Sequence, residues 1–165
     1  MRVYLPATLP LLRAAVVAAQ CGPAPLAGCA VTAALREWFA EGDAEELDYV
    51  ALTDAGRAAL PLLDVDARAP RRRVVIAVDV PEGWVRAHPD RGRSTVSVAQ
   101  VVPWSRVVAA YVDDAIAEPA VAAAAESMVA AELGSDDSQF LVDEVDGHEL
   151  GWYAVQELGP LVELA

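Results

Sequence analysis

The spacing of apolar positions changes several times along this chain, and each change marks an element. Arg2 to Pro6 reads as a short strand, because Val3 and Tyr4 favour extended backbone. Thr8 can cap a helix running to about Gln20, with Pro10 in a first turn where its missing N–H costs nothing. Cys21-Gly22-Pro23-Ala24-Pro25 ends that helix, and Gly28 to Val31 offers a short extended piece. Thr32 caps a second helix. On it Leu35, Trp38 and Phe39 stand at i, i+3 and i+4, so they share one face, and that face is expected to be buried. Gly42 stops it. Asp43 and Glu46 form a D-x-x-E pair that opens a third helix, to about Leu63. Leu47, Ala51, Ala55, Ala59 and Leu62 run down its inner side, and Gly56 and Pro61 weaken its later half, where the last turn can break.

The period then shortens. Val74-Val75-Ile76-Ala77-Val78 is continuous, which suits a strand covered on both faces. Pro81 to Ser94 is a long loop. Thr95 to Val102 alternates, as a strand with one wetter face does. Arg106 to Val112 is a further apolar strand, ended by Asp113-Asp114. Pro119 opens a fourth helix, to about Leu133. Gln139 to Val145 fits a strand or a helix. Asp146 and Glu149 make a second capping pair, and Leu150, Ala154, Leu158 and Leu161 form one stripe of a last helix behind it. One strand comes early and three late, with helices between and after. The expected fold is therefore α+β: a mixed or antiparallel sheet of about four strands with helices packed against it, in a single domain over residues 1–165.

Composition narrows the function. Hydrophobic residues make up 55% of the chain, ample to offset the entropy of ordering, so disorder is excluded. All 12 basic residues are arginine, against 25 carboxylates, and the net charge of −13 repels phosphate backbones and acidic membranes. Neither nucleic acid nor membrane is an expected partner. The charge is uneven. Residues 68–93 carry seven arginines against three acids, net +4, while the remainder carries −17. Within that basic island Arg86, Arg91 and Arg93 stand on the long loop, and guanidinium forks suit phosphate or carboxylate. They are the candidate anion-binding residues; in an enzyme, Asp113 or Asp114 would serve as the proton-transfer group beside them.

Other chemistry is sparse. Cys21 and Cys29, with His88 and His148, have no zinc-finger spacing, and neither a metal nor a cofactor is expected. The cluster from Asp143 to Glu149 is read as helix capping, favoured by the helix dipole. No G-x-S-x-G, phosphate-loop or G-x-G-x-x-G motif occurs, and the lack of lysine excludes a Schiff base, so no catalytic residue is assigned. Leu26-Ala27-Gly28-Cys29 spells a lipobox, but Arg13 and four prolines interrupt the apolar run in front of it; the expectation is an unlipidated cytoplasmic protein that keeps Met1.

Several pieces point to a family. Arg2-Val3-Tyr4-Leu5-Pro6-Ala7-Thr8, Ala30-Val31-Thr32-Ala33-Ala34-Leu35-Arg36-Glu37-Trp38, Arg72-Arg73-Val74-Val75, Tyr111-Val112-Asp113-Asp114 and His148-Glu149-Leu150-Gly151-Trp152 through Leu158 resemble a family of uncharacterised actinobacterial proteins, a domain of unknown function. The resemblance spans nearly the whole chain and implies a single cytoplasmic domain; it transfers no functional residue. The functional expectation is a non-enzymatic binding or regulatory module whose partner is a protein or a small anionic ligand. The alternative is a small enzyme acting on an anionic metabolite.

Overall fold

The computed structural model describes residues 1–165. Its first half runs through Arg2–Ala7 (β1), Leu9–Ala18 (α1), Gln20–Cys21 (β2), Leu26–Cys29 (β3), Ala33–Trp38 (α2) and Ala44–Val65 (α3). Val74–Asp79 (β4), Val85–Ala87 (β5), Thr95–Val98 (β6), Val102–Pro103 (β7) and Val107–Val112 (β8) follow. Glu118–Glu132 (α4), Asp136–Glu144 (α5), Gly151–Ala154 (β9) and Leu158–Leu164 (α6) complete it.

Successive side chains of a strand point to opposite faces of the sheet. In β1 and β4 this sends Val3, Leu5, Ala7, Val74, Ile76 and Val78 to one face, and Tyr4, Val75 and Ala77 to the other. Helices cover both faces. Leu9 and Leu12 of α1 with Leu158 and Val162 of α6 close the first. Leu35 of α2 with Leu47, Ala51 and Ala55 of α3 closes the second. The far half of α3, through Leu60 and Leu63, packs on Val121, Ala124 and Ala125 of α4 and Val142 of α5. The result is three layers, helix–sheet–helix, with the α4–α5 hairpin set against the end of α3.

Three of the four caps read from sequence are present. Thr8 Oγ1 accepts from Leu11 N–H at 3.3 Å and Thr32 Oγ1 from Leu35 N–H at 3.1 Å. Asp43 and Glu46 exchange the two bonds of a capping box, at 2.9 and 3.3 Å. The segment 139–145, open between strand and helix, is helical: residues 139–144 belong to α5, which Ser135 caps, and Val145 opens the 3₁₀ turn after it. Helix α3 continues through Pro61 to Val65, because buried Leu60 and Leu63 hold its last turns against α4 and α5.

Three expectations are corrected. The sheet has seven strands, ordered β5-β6-β3-β1-β4-β8-β9, with every neighbouring pair antiparallel; about four were expected. The additional ones are short: β5 is three residues inside the loop 81–94, and β3 and β9 are four each. No helix starts at Asp146. A 3₁₀ turn over Val145–Gly147 leads into β9, which pairs with β8, and the helix is confined to Leu158–Leu164. Trp152 and Tyr153 favour extended backbone, and pairing with β8 outweighs the i, i+4 stripe. Finally, only Leu35 of the α2 trio is buried: Trp38 is 62% exposed and Phe39 40%. Helix α2 is six residues long and ends at Trp38, too short to carry the face inward.

Candidate ligand-binding cleft

Arg73 precedes the apolar run of β4 and Asp113 follows that of β8. Val74 is register partner of Val112, so these two charges are cross-strand neighbours at one end of the sheet. Both are buried. Arg73 donates through Nε to Asp113 Oδ2 at 2.8 Å and through Nη2 to Oδ1 at 2.9 Å. The Arg73 backbone N–H donates to Oδ2 at 2.8 Å, and Arg72 Nε donates to the Asp113 carbonyl at 2.7 Å. Nη2 also donates to the carbonyls of His148 at 2.9 Å and Val145 at 3.4 Å, which ties the 145–148 turn to the sheet.

That leaves Nη1, which donates to no protein atom, although the Arg73 side chain is only 3% exposed. No fully buried side-chain polar atom lacks a partner, so Nη1 reaches open space. Arg73 is also one of the residues that line a cleft of about 390 Å³. Its walls are Tyr4 and Tyr111 from the sheet, Leu52 and Thr53 from α3, and Leu150 from the segment that the Arg73 bonds hold in place. Its rim carries Glu45, Asp48, Asp146, His148 and Glu149. A Cβ on Gly56 would lie 3.2 Å from Leu150 Cδ1, a tight approach, and in ordinary contact at 3.6 Å with Nη1, so the glycine leaves room for Leu150 against α3.

The tyrosines stand edge to face, their ring centroids 6.4 Å apart. Tyr4 Oη donates to Asp48 Oδ1 at 3.3 Å. Burial, and after it the Asp48 charge, pushes the Tyr4 phenol up to about 12, so it remains a donor at neutral pH. On the rim Arg57 donates to Asp143 and, at 3.3 Å, to Asp146 Oδ2, linking α3 to α5 and the following turn.

A protein-family profile matches residues 1–162. The chain belongs to DUF6912, a family of unknown function. No curated protein and no solved structure matches it.

In this DUF6912 chain the loop arginines lie away from the cleft. Arg86 is exposed on β5, opposite Ser97 of β6. Arg91 and Arg93 border a separate shallow hollow of about 550 Å³ with Glu37, Trp38 and Asp90. None of the three forms an ion pair; the pairs of the protein use Arg2, Arg57 and Arg73. Arg93 instead lies over the Trp38 ring, 3.5 Å from its centroid. Asp113 is locked to Arg73, and Asp114 caps the 3₁₀ turn after β8, accepting from Ile116 N–H at 3.1 Å. The hollow with the loop arginines includes neither aspartate. His88 shares a 2.8 Å hydrogen bond with Ser97 Oγ. Asp146 and Glu149, expected as helix caps, are rim groups of the cleft.

Motif search cannot find this cleft, since Tyr4, Asp48, Arg73 and Tyr111 come from four separate elements. One signal was available: a charge of each sign flanks an apolar run, Arg73 before Val74 and Asp113 after Val112. Opposite charges beside two buried strands imply a pair once the register is known.

Proposed function

We propose that the protein is a non-enzymatic binding module whose cleft between α3, the sheet and the 146–150 segment holds a small molecule. The observation that carries this reading is Nη1 of Arg73, a charged donor in a side chain almost wholly buried, facing a cleft with apolar walls. A carbonyl or carboxylate oxygen at that point completes the guanidinium's hydrogen bonding, and such charge-assisted bonds are short and strong. The cleft lies in the size range of small-ligand sites, about 300–1,000 Å³. The binding reading is favoured over the enzyme because Asp113 spends both oxygens on Arg73 and Asp114 is engaged as a cap. The module is assigned to the cytoplasm. The lipobox-like tetrapeptide is β3, and cleavage before Cys29 would remove β1 from the middle of the sheet. No helix is long and apolar enough to cross a membrane.

The test is amide-resonance mapping with small-molecule extract from the producing cell. Binding should shift Leu52, Thr53, Tyr111 and Leu150, and Thr53→Trp, which fills the cleft, should abolish those shifts while the melting temperature holds. Shifts confined to other surfaces, or equal binding by the filled variant, would reject the cleft.

A second reading is supported by the unpaired loop arginines. Arg91 and Arg93 beside an exposed tryptophan form a surface suited to an acidic peptide of a partner protein, since Trp and Arg dominate binding hot spots. Phosphate or a polyglutamate peptide should perturb residues 86–93, and Arg91→Ala with Arg93→Ala should remove the response without unfolding the chain. Unchanged resonances in wild type would end this reading.

A further inference from the structure

We propose that the cleft selects a small zwitterion of the α-amino-acid or dipeptide kind, its carboxylate on Arg73 Nη1 and its ammonium at the acidic rim. This rests on the cleft being the ligand site and adds what the ligand must be. The Arg73 charge is already balanced by Asp113 through two hydrogen bonds, so the guanidinium offers a directed donor with little net positive field. Around it stand Glu45, Asp48, Asp146 and Glu149. Arg57 engages Asp146 and the Tyr4 hydroxyl engages Asp48, whereas Glu149 has no protein partner and Glu45 forms no ion pair.

The electrostatics sort the ligand classes. A purely anionic molecule gains one hydrogen-bonded contact at Nη1 and meets several carboxylates as it enters, a like-charge approach that opposes binding. A simple cation satisfies the rim but makes no bond at Nη1, so it gains only half of what the cleft offers. A zwitterion answers both ends and arrives without net charge. Leu52, Leu150 and the Tyr111 ring give its side chain an apolar wall, and about 390 Å³ suits one or two residues.

Three probes of nearly equal shape separate these classes: L-leucine, L-leucinamide and N-acetyl-L-leucine, titrated at millimolar concentration against the labelled full chain. Leucine should shift Leu52, Thr53, Tyr111 and Leu150. Leucinamide should bind more weakly, and N-acetylleucine weaker than leucine by about tenfold or more, the scale of a lost charge-assisted hydrogen bond. Glu45→Gln with Glu149→Gln should weaken leucine by a similar factor and remove its preference over N-acetylleucine. N-acetylleucine binding as tightly as leucine would overturn the zwitterion and leave the cleft standing. Silence from all three probes while extract still shifts the cleft also overturns the class alone. Silence from probes and extract together overturns both readings.

Discussion

Arg73 and Asp113 each close off an apolar run, and their burial as a pair has a direct energetic consequence. Two ions taken out of water need near-ideal geometry to recover their desolvation cost, and here the carboxylate receives two guanidinium bonds and a backbone N–H. Removing one partner strands the other. Asp113→Ala is expected to lose about 3–5 kcal/mol in urea unfolding, while Arg73→Met with Asp113→Leu should recover much of that loss. A mild effect of the single substitution would mean that the pair is wet. The two thiols behave in the opposite way, as groups kept uncharged. Burial pushes both Cys21 and Cys29 up to about 11; for Cys29 a Ser94 hydrogen bond opposes the shift. Thiolate is the reacting form, so at pH 7 both should resist a disulfide reagent and label only as fast as the chain opens. Rapid labelling of the folded protein would contradict their burial. In the sequence the two charges only flank their apolar runs; pairing Arg73 with Asp113 needs the β4–β8 register.

At the scale of elements, caps were legible and faces were not always. Thr8, Thr32 and Asp43 act within three residues of themselves, so local sequence is enough to place them. The Trp38 face depends on where α2 stops, which is set by the chain turning at Phe39. This separates two substitutions. Thr32 is 5% exposed, accepts from Leu35 N–H and donates to the Arg93 carbonyl, joining α2 to the loop before β6. Thr32→Ala should cost about 1–2 kcal/mol. Trp38→Ala removes an exposed ring whose main contact is the Arg93 guanidinium, worth about 0.5–1 kcal/mol at such a site. Thermal melts should therefore rank Thr32→Ala below Trp38→Ala in stability, and the reverse order would restore the buried-face reading of α2. Strand β9 was missed for a related reason. The residues Gly151–Ala154 fit a helical stripe locally, and only the free edge of β8 gives them a better partner.

For the whole molecule, the α+β class followed from the order of periodic segments, and the extra width of the sheet did not, because three- and four-residue strands carry almost no periodicity of their own. The cleft is a product of that width. It needs Tyr4 from one central strand, Tyr111 from another, and a turn pinned beyond the sheet by Arg73. Ionisable groups spread over the whole molecule set how stability follows pH. On the acid side, the Arg2 hydrogen bond holds Asp79 below its usual 3.8, and those from Arg57 and Gln139 hold Asp143 below the same value. Their contribution is present above that pH and fades as it falls further, weakly, since both pairs are solvent-exposed. On the alkaline side the groups are buried. Cys21 and Cys29 move from 9.0 to about 11, and Tyr4 from 10.0 to about 12. A raised value means that the folded state keeps a proton the unfolded state has released. Stability is then full below pH 9 and falls as pH rises towards 12, by up to about 1.4 kcal/mol per pH unit for each group in its window. Repulsion within a chain already at −13 adds to the fall. Urea midpoints measured from pH 8 to 11 should drop steadily. Replacing Tyr4 by Phe, with both cysteines changed to alanine, should flatten that slope even though the variant starts from lower stability. An unchanged slope in the triple variant would assign the alkaline loss to net charge alone and remove these three groups as its cause.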